Sequence, residues 1–396
     1  MFQQLKQLSP DSILGLMGKY RADSSPLKVD LGVGVFRDLS GNTPVLDSVR
    51  RAEQQVLAAQ TTKSYVAAAG REEFNTAVQE LVLGATHAAR RDRRARTVQA
   101  PGGCGALRVG AELIRAAAPE VRVHVSDPTW GNHMPLLGSS GLRLERYPYY
   151  DNAAHRVRFE AMLEHLERAA EGDVVLLHAC CHNPTGADLE PAQWQTLAHV
   201  LKRRRLIPFL DLAYQGFAVD LQTDVSGLRL IAEQVPEALA AVSFSKNLGL
   251  YRERVGALII IGENETRADA MLSHVLQIAR GIYSMPPDHG AAIAAHIFAD
   301  PVLRKEWVDE LAAMRTRITD MRRLLAGHLR TVVGDGSFDF IEDQRGMFSL
   351  LGVSPQAVER LRDKHHIYMM HDSRINLAGI MPDNAEYVAK AVAQER

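Results

Sequence analysis

The sequence predicts an α/β fold, a sheet covered by helices on both faces, with a smaller α+β layer beside it. Two observations carry this expectation. Short runs rich in Val, Ile and Leu recur at residues 97–99, 121–125, 174–177, 206–210, 239–244 and 257–261, with helical stretches between them, and that alternation builds an α/β sheet. The runs are nearly continuous in apolar residues instead of alternating with polar ones, as strands do when both their faces are buried. Outside this alternation, residues 11–20 read as a helix and residues 29–36 as a Gly-rich strand. Beyond Pro301 a long helix is expected over residues 303–329, then a strand at 347–351 and a helix at 354–365. The first 45 residues stand apart from the central pattern, and the long helix is expected to join the two parts. No internal repeat or low-complexity segment interrupts the chain.

Composition narrows the function. A chain of 396 residues with 46% hydrophobic and 23% charged residues is long enough for one large domain and a smaller companion. With 46 basic and 47 acidic residues the formal net charge is −1, so no overall field recruits nucleic acid or an anionic membrane. Small molecules are the expected partners. The longest apolar runs fall far short of the roughly 20 residues a membrane helix needs. The start, Met1-Phe2-Gln3-Gln4-Leu5-Lys6, lacks the apolar core of a signal peptide, which makes cytoplasmic residence the expectation. Three cysteines, two of them adjacent at Cys180 and Cys181, suit neither a disulfide framework nor a zinc site. The basic run from Arg90 to Arg96 is short and broken by Asp92, and reads as a solvated surface.

Ligands of open α/β sheets bind beyond the carboxyl ends of the strands, so the polar residues there are the ones to inspect. The most informative is Lys246, in Ser243-Phe244-Ser245-Lys246-Asn247, directly after an apolar strand. A lysine so placed can form an imine with an aldehyde cofactor, while Ser243, Ser245 and Arg254 hold a phosphate dianion. Pyridoxal phosphate is the cofactor that fits. At a second strand end, Asp211 in Phe209-Leu210-Asp211-Leu212 needs a cationic partner, because an unpaired buried carboxylate is costly. A protonated pyridine nitrogen would serve. Pro101-Gly102-Gly103-Cys104-Gly105 opens a helix whose free amides suit a phosphate, or it is a tight turn requiring positive φ. Trp130, just past another strand, either stacks on an aromatic cofactor ring or belongs to the core. His178 and His182 are four apart on a looping segment, which does not bring both rings to one metal, so no metal is expected.

Taken together and in order, Leu31-Gly32-Val33-Gly34-Val35-Phe36-Arg37-Asp38, Cys180-Cys181-His182-Asn183-Pro184-Thr185-Gly186, Asp211-Leu212-Ala213-Tyr214-Gln215-Gly216-Phe217, the Lys246 segment and Gly346-Met347-Phe348-Ser349 resemble the class I aminotransferases, the aspartate and aromatic amino-acid type. The resemblance runs the length of the chain. It implies a fold-type I enzyme with a mostly parallel seven-stranded sheet, a large domain at residues 46–312, and a small one from residues 1–45 and 313–396. It implies a homodimer with shared active sites, carrying an amino group between an amino acid and a 2-oxo acid such as 2-oxoglutarate by ping-pong transfer through pyridoxamine phosphate. Lys246 would bind the cofactor and shuttle the substrate's α-proton. Asp211 would pair with the pyridinium, backed by His133 and His178, while Tyr214 and Asn183 would hold the phenolic oxygen. The phosphate would rest on Ser243, Ser245, Arg254 and the amides of Gly103 and Cys104, with Tyr65 reaching in from the other subunit. Arg374 would clamp the substrate's α-carboxylate, aided by Trp130, Asn183 and Gly34. Arg280 would cross the dimer to the distal carboxylate of aspartate or glutamate.

The chain departs from the family's pattern at two positions. Cys104 stands where the family has a Ser or Thr hydroxyl on the phosphate, and Met285 replaces an Asn or Ser near the distal arginine. Val35, Arg37 and Thr43 match the aspartate type, whereas Met285 favours a ring. Three other readings therefore remain in view: an aromatic aminotransferase with little aspartate activity, a pyridoxal-phosphate lyase or decarboxylase, and a regulator built on the same fold.

Overall fold

The computed structural model describes residues 1–7 and 12–396. Its centre is a seven-stranded sheet built from β1 (Ala95–Pro101), β2 (Arg122–Asp127), β3 (Arg143–Pro148), β4 (Val174–His178), β5 (Ile207–Leu212), β6 (Ala238–Ser243) and β7 (Val255–Ile261). The order across the sheet is β1-β7-β6-β5-β4-β2-β3. All neighbours are parallel except β7, which runs antiparallel to both β1 and β6. Continuous apolar strands do lie in the middle: every residue of β6 and β7 is buried. Because successive side chains point to opposite faces, Leu258 and Ile260 enter one core while Ala257, Ile259 and Ile261 enter the other. Helices therefore cover both faces.

Six of the seven strands coincide with the apolar runs. The seventh, β3, has the sequence Arg-Leu-Glu-Arg-Tyr-Pro and lies at the sheet's edge, paired only with β2. An edge strand is free to carry charge and gains protection from unwanted pairing by doing so. That composition hides it from any search for apolar runs.

The second part of the molecule draws on both chain ends. Val29–Asp30 pairs in parallel with Ile367–Tyr368, and Phe348–Leu350 pairs antiparallel with Arg374–Asn376. The strand expected over residues 29–36 is thus only two residues long, since Gly32 and Gly34 leave little side chain to pack on a sheet. The N-terminal helix is Ser12–Ala22; Asp11, where it was expected to start, lies outside the described residues. The expected long helix spans Pro301–Val333. Asp300 caps its first amides and Gly334, in the left-handed conformation, ends it. Near its start, the Trp307 Nε1 donates to the Asn247 carbonyl (2.7 Å), and further along Arg322 donates to the Gly346 and Phe348 carbonyls. One helix thus anchors both the loop after Lys246 and the small sheet. Among the described residues no helix is long and apolar enough to cross a membrane.

Candidate active site

The carboxyl ends of β4, β5 and β6 and the start of the helix Gly102–Ala117 enclose a cavity of about 270 Å3. Its lining includes Gly34, Gly103, Cys104, Trp130, Asn183, Asp211, Tyr214, Ser243, Ser245, Lys246, Arg254 and Arg374, all of them expected at the site from sequence. They come from seven separate stretches of chain.

At one end lies a cradle for an anion. Ser243 ends β6 and its hydroxyl donates to the Ser245 hydroxyl (3.2 Å), which also accepts from Arg254 Nη1 (3.2 Å). Opposite, the Gly102–Ala117 helix presents its first turn, where amides lack intrahelical partners and the dipole favours negative charge. Gly102 has φ +69°, and a Cβ there would come within 2.5 Å of Arg254 Nη2. Only glycine lets the guanidinium lie against the helix start. Cys104 is partly buried there, with Asn132 Nδ2 3.9 Å from its sulfur.

At the centre, Asp211 near the end of β5 accepts from His133 Nε2 (3.0 Å), and His133 Nδ1 meets Thr129 Oγ1 (2.8 Å). Burial alone would raise the Asp211 carboxyl; the His133 hydrogen bond and the fields of His133, His178 and Lys246 outweigh it and hold the acid below its usual range. His178 is driven down to about 3, by burial first and then by His133, so it stays neutral. Enclosure likewise depresses Lys246, although Asp211 pulls the other way. The amine sits 5.0 Å from the Tyr214 ring centroid, and burial raises the Tyr214 phenol. Trp130 stands edge-on to His133 with ring centroids 5.2 Å apart, so its indole both packs on the core and faces the cavity.

At the far end, buried Arg374 donates to Asn183 Oδ1 (3.1 Å) and to the Gly32 carbonyl (3.0 Å) and lies 4.4 Å over the Phe348 ring. Its Nε is buried with no partner. A guanidinium lining a cavity is a ready receptor for a carboxylate.

Tyr65 and Arg280 stand apart. Tyr65 is 91% exposed, and exposed Arg280 donates to Ser284 Oγ; neither lines the cavity. Conversely, Ile13, Phe348 and Tyr251 line it without having been singled out. Tyr251 accepts a hydrogen bond from the Phe36 amide (2.9 Å), tying the N-terminal segment to the Lys246 loop. Its signal was its place inside the Lys246 run, and that of Phe348 its place in Gly346-Met347-Phe348-Ser349.

The donor set fits pyridoxal phosphate: hydroxyls, a guanidinium and helix amides for the dianion, an ionised acid for the ring nitrogen, and a depressed lysine amine for the aldehyde. The comparisons agree. Residues 26–392 match the family model for aminotransferase class I and II. The chain is 43% identical to an aromatic-amino-acid aminotransferase of Paracoccus denitrificans, over 100% of this chain and 99% of the relative. It is equally 43% identical to the aspartate aminotransferase of Escherichia coli, covering 99% of both. A crystal structure of the aromatic-amino-acid aminotransferase from Burkholderia pseudomallei, covalently bound to pyridoxal phosphate, superposes with a TM-score of 0.97 at 42% identity, covering 100% of this chain and 99% of that one. The chain belongs to the class I and II aminotransferases, with the fold-type I architecture and pyridoxal phosphate as cofactor.

Proposed function

We propose that this aminotransferase accepts aspartate, glutamate and aromatic amino acids as donors and 2-oxo acids such as 2-oxoglutarate as acceptors. The observation carrying the reading is the cavity that joins an anion cradle, an acid and a lysine, and the Arg374 guanidinium within one enclosure. When bound, pyridoxal phosphate supplies an aldehyde that condenses with amines and a ring that takes up the electron pair left at the α-carbon.

The chain's own residues do the rest. Lys246, depressed by enclosure, offers an amine able to carry the proton to and from the substrate α-carbon. Asp211, kept ionised by His133, holds the ring nitrogen's proton. Ser243, Ser245, Arg254 and the amides of Gly103 and Cys104 bind the phosphate, and Trp130 covers the ring. Tyr214 and Asn183 donate to the phenolic oxygen. Arg374, in the cavity lining, orients the substrate carboxylate. Gly34 leaves room beside Phe348, whose ring would lie 3.0 Å from a Cβ at that position.

Tyr65 and Arg280 are assigned to the neighbouring active site of a homodimer. In this reading the partner subunit's Tyr65 reaches the phosphate and the partner subunit's Arg280 the distal carboxylate; their exposure in the single chain supports it. Aromatic donors are supported by the apolar lining from Ile13, Leu107 and Phe348. The domain division is proposed at residues 46 and 312, which leaves the seven-stranded sheet in one part and the two small sheets built from the chain ends in the other. Cytoplasmic residence is supported by three cysteines that are all free thiols. A panel of amino donors with 2-oxoglutarate tests the substrate range: turnover of aspartate, glutamate and phenylalanine is expected. Turnover confined to phenylalanine and tyrosine would favour the purely aromatic reading, and release of ammonia or carbon dioxide in place of transfer would overturn both.

A further inference from the structure

We infer that Asp188 is a positioning residue for the substrate-carboxylate clamp, acting through the backbone of Cys181 and His182 on Asn183 and Arg374. The inference rests on the proposed role of Arg374. Asp188 lies outside the catalytic cavity, partly buried at the wall of a separate cleft. Its Oδ2 accepts from the Cys181 amide (2.7 Å) and its Oδ1 from the His182 amide (2.8 Å). Two consecutive amides can converge on one carboxylate only when the backbone curls, and Cys181 supplies the curl with φ +50°. Such a turn forms a concave anion site from successive N–H groups. Cys181 is not glycine, so the left-handed conformation carries a strain that needs outside support.

The next residue is Asn183, whose Oδ1 accepts from Arg374 Nη1 (3.1 Å). Beyond it the chain is pinned again: the Gly186 amide donates to the His182 carbonyl (2.7 Å) and the Arg345 amide to the Gly186 carbonyl (2.7 Å). Gly186 has φ +70°, and a Cβ there would lie 2.4 Å from the Phe348 carbonyl oxygen. The Asn183 amide is thus fixed from both sides, and on the near side Asp188 is the anchor. Desolvation lifts the Asp188 carboxyl to about 6 in spite of its two amide bonds, so the acid is kept where burial opposes its charge.

The test compares wild type and Asp188→Asn, both loaded with cofactor. An asparagine can accept only one of the two amides and turns a donor toward the other. The dissociation constant for maleate, followed by the cofactor's absorbance, and KM for the amino donor are expected to rise about tenfold, as for loss of one charge-assisted hydrogen bond. The rate constant kcat should change less than threefold and the cofactor should remain bound. In an Asn183→Ala background the same change should add nothing, since the path it acts through is gone. Unchanged maleate affinity and KM, a loss wholly in kcat, or full additivity with Asn183→Ala would overturn the inference. Should Asp188→Asn not fold, Asp188→Ser keeps one acceptor and leaves room for water from the open cleft, and the same outcomes decide. A wild-type protein that transaminates no donor would instead overturn the parent reading, and this one with it.

Discussion

The two ends of the cavity are built differently. At the cofactor end all but one of the expected groups come from one chain: β6, the first turn of the Gly102–Ala117 helix and Asp211 on β5 gather buried side chains held by hydrogen bonds of 3.0 to 3.2 Å, and the partner subunit's Tyr65 is the single proposed addition. At the substrate end Arg374 lines the cavity, but Arg280 lies exposed outside the lining. In the proposed dimer, cofactor binding would rest mainly on the fold of one chain, while recognition of the distal part of the substrate would depend on a second copy. Changes at the first end should therefore act on every substrate alike, and changes at the second should discriminate.

The largest effect is expected at the junction of the two ends. Lys246→Ala should leave a folded protein that still holds cofactor through Asp211 and Arg254. Turnover with any donor should fall at least about 10⁴-fold, because proton transfer and imine exchange are both removed; steady-state assays retaining more than a few percent of the wild-type rate would refute its role. Next comes Arg280→Leu. Loss of one charge-assisted contact should lower kcat/KM for aspartate about ten- to a hundredfold and leave phenylalanine unchanged or improved. Equal losses for both would mean that Arg280 supports the dimer or the fold and does not read substrate.

At the cofactor end, Gly102→Ala should weaken pyridoxal phosphate binding about tenfold or more with no change in donor preference. The new Cβ strains a positive φ and collides with the Arg254 guanidinium. Equilibrium dialysis measures the first effect and the ratio of kcat/KM values the second; a shift in that ratio would blur the distinction between the two ends. The smallest change is expected from Cys104→Ser, which puts a hydroxyl in place of a weak thiol donor beside the phosphate cradle. Cofactor affinity should hold or tighten by about 1 kcal/mol. A clear weakening would show that the sulfur has a role of its own.

The cofactor end was also the more legible in sequence, for the same reason. Lys246, Ser243, Ser245 and Arg254 lie within a dozen residues, and Asp211 ends an apolar strand, so local chemistry exposes them. Arg374 and Asn183 are 191 residues apart; nothing local joins them, and only the family resemblance placed both in one site. Phe348 and Tyr251 were passed over because an aromatic residue in a short motif carries no signature of what it packs on. In the fold, the buried strands were legible as apolar runs, whereas the charged edge strand β3 was not. Residues 29–36 looked like one strand but form two residues of sheet; the rest leaves the sheet, passing the cavity at Gly34 and reaching the Tyr251 hydroxyl through the Phe36 amide.

Mixing two defective proteins decides whether one chain supplies the lysine while another completes the substrate site. Lys246→Ala keeps Arg280, and Arg280→Leu keeps Lys246, so each homodimer should be nearly inactive toward aspartate. After dissociation and reassociation, half the dimers should be hybrids, each with one intact site of two. Aspartate activity should return to about a quarter of the wild-type value, following the random-pairing expectation for a symmetric dimer. No recovery from a mixture proven to contain hybrids would mean that Arg280 does not act across the interface, and the account of a shared active site would fail.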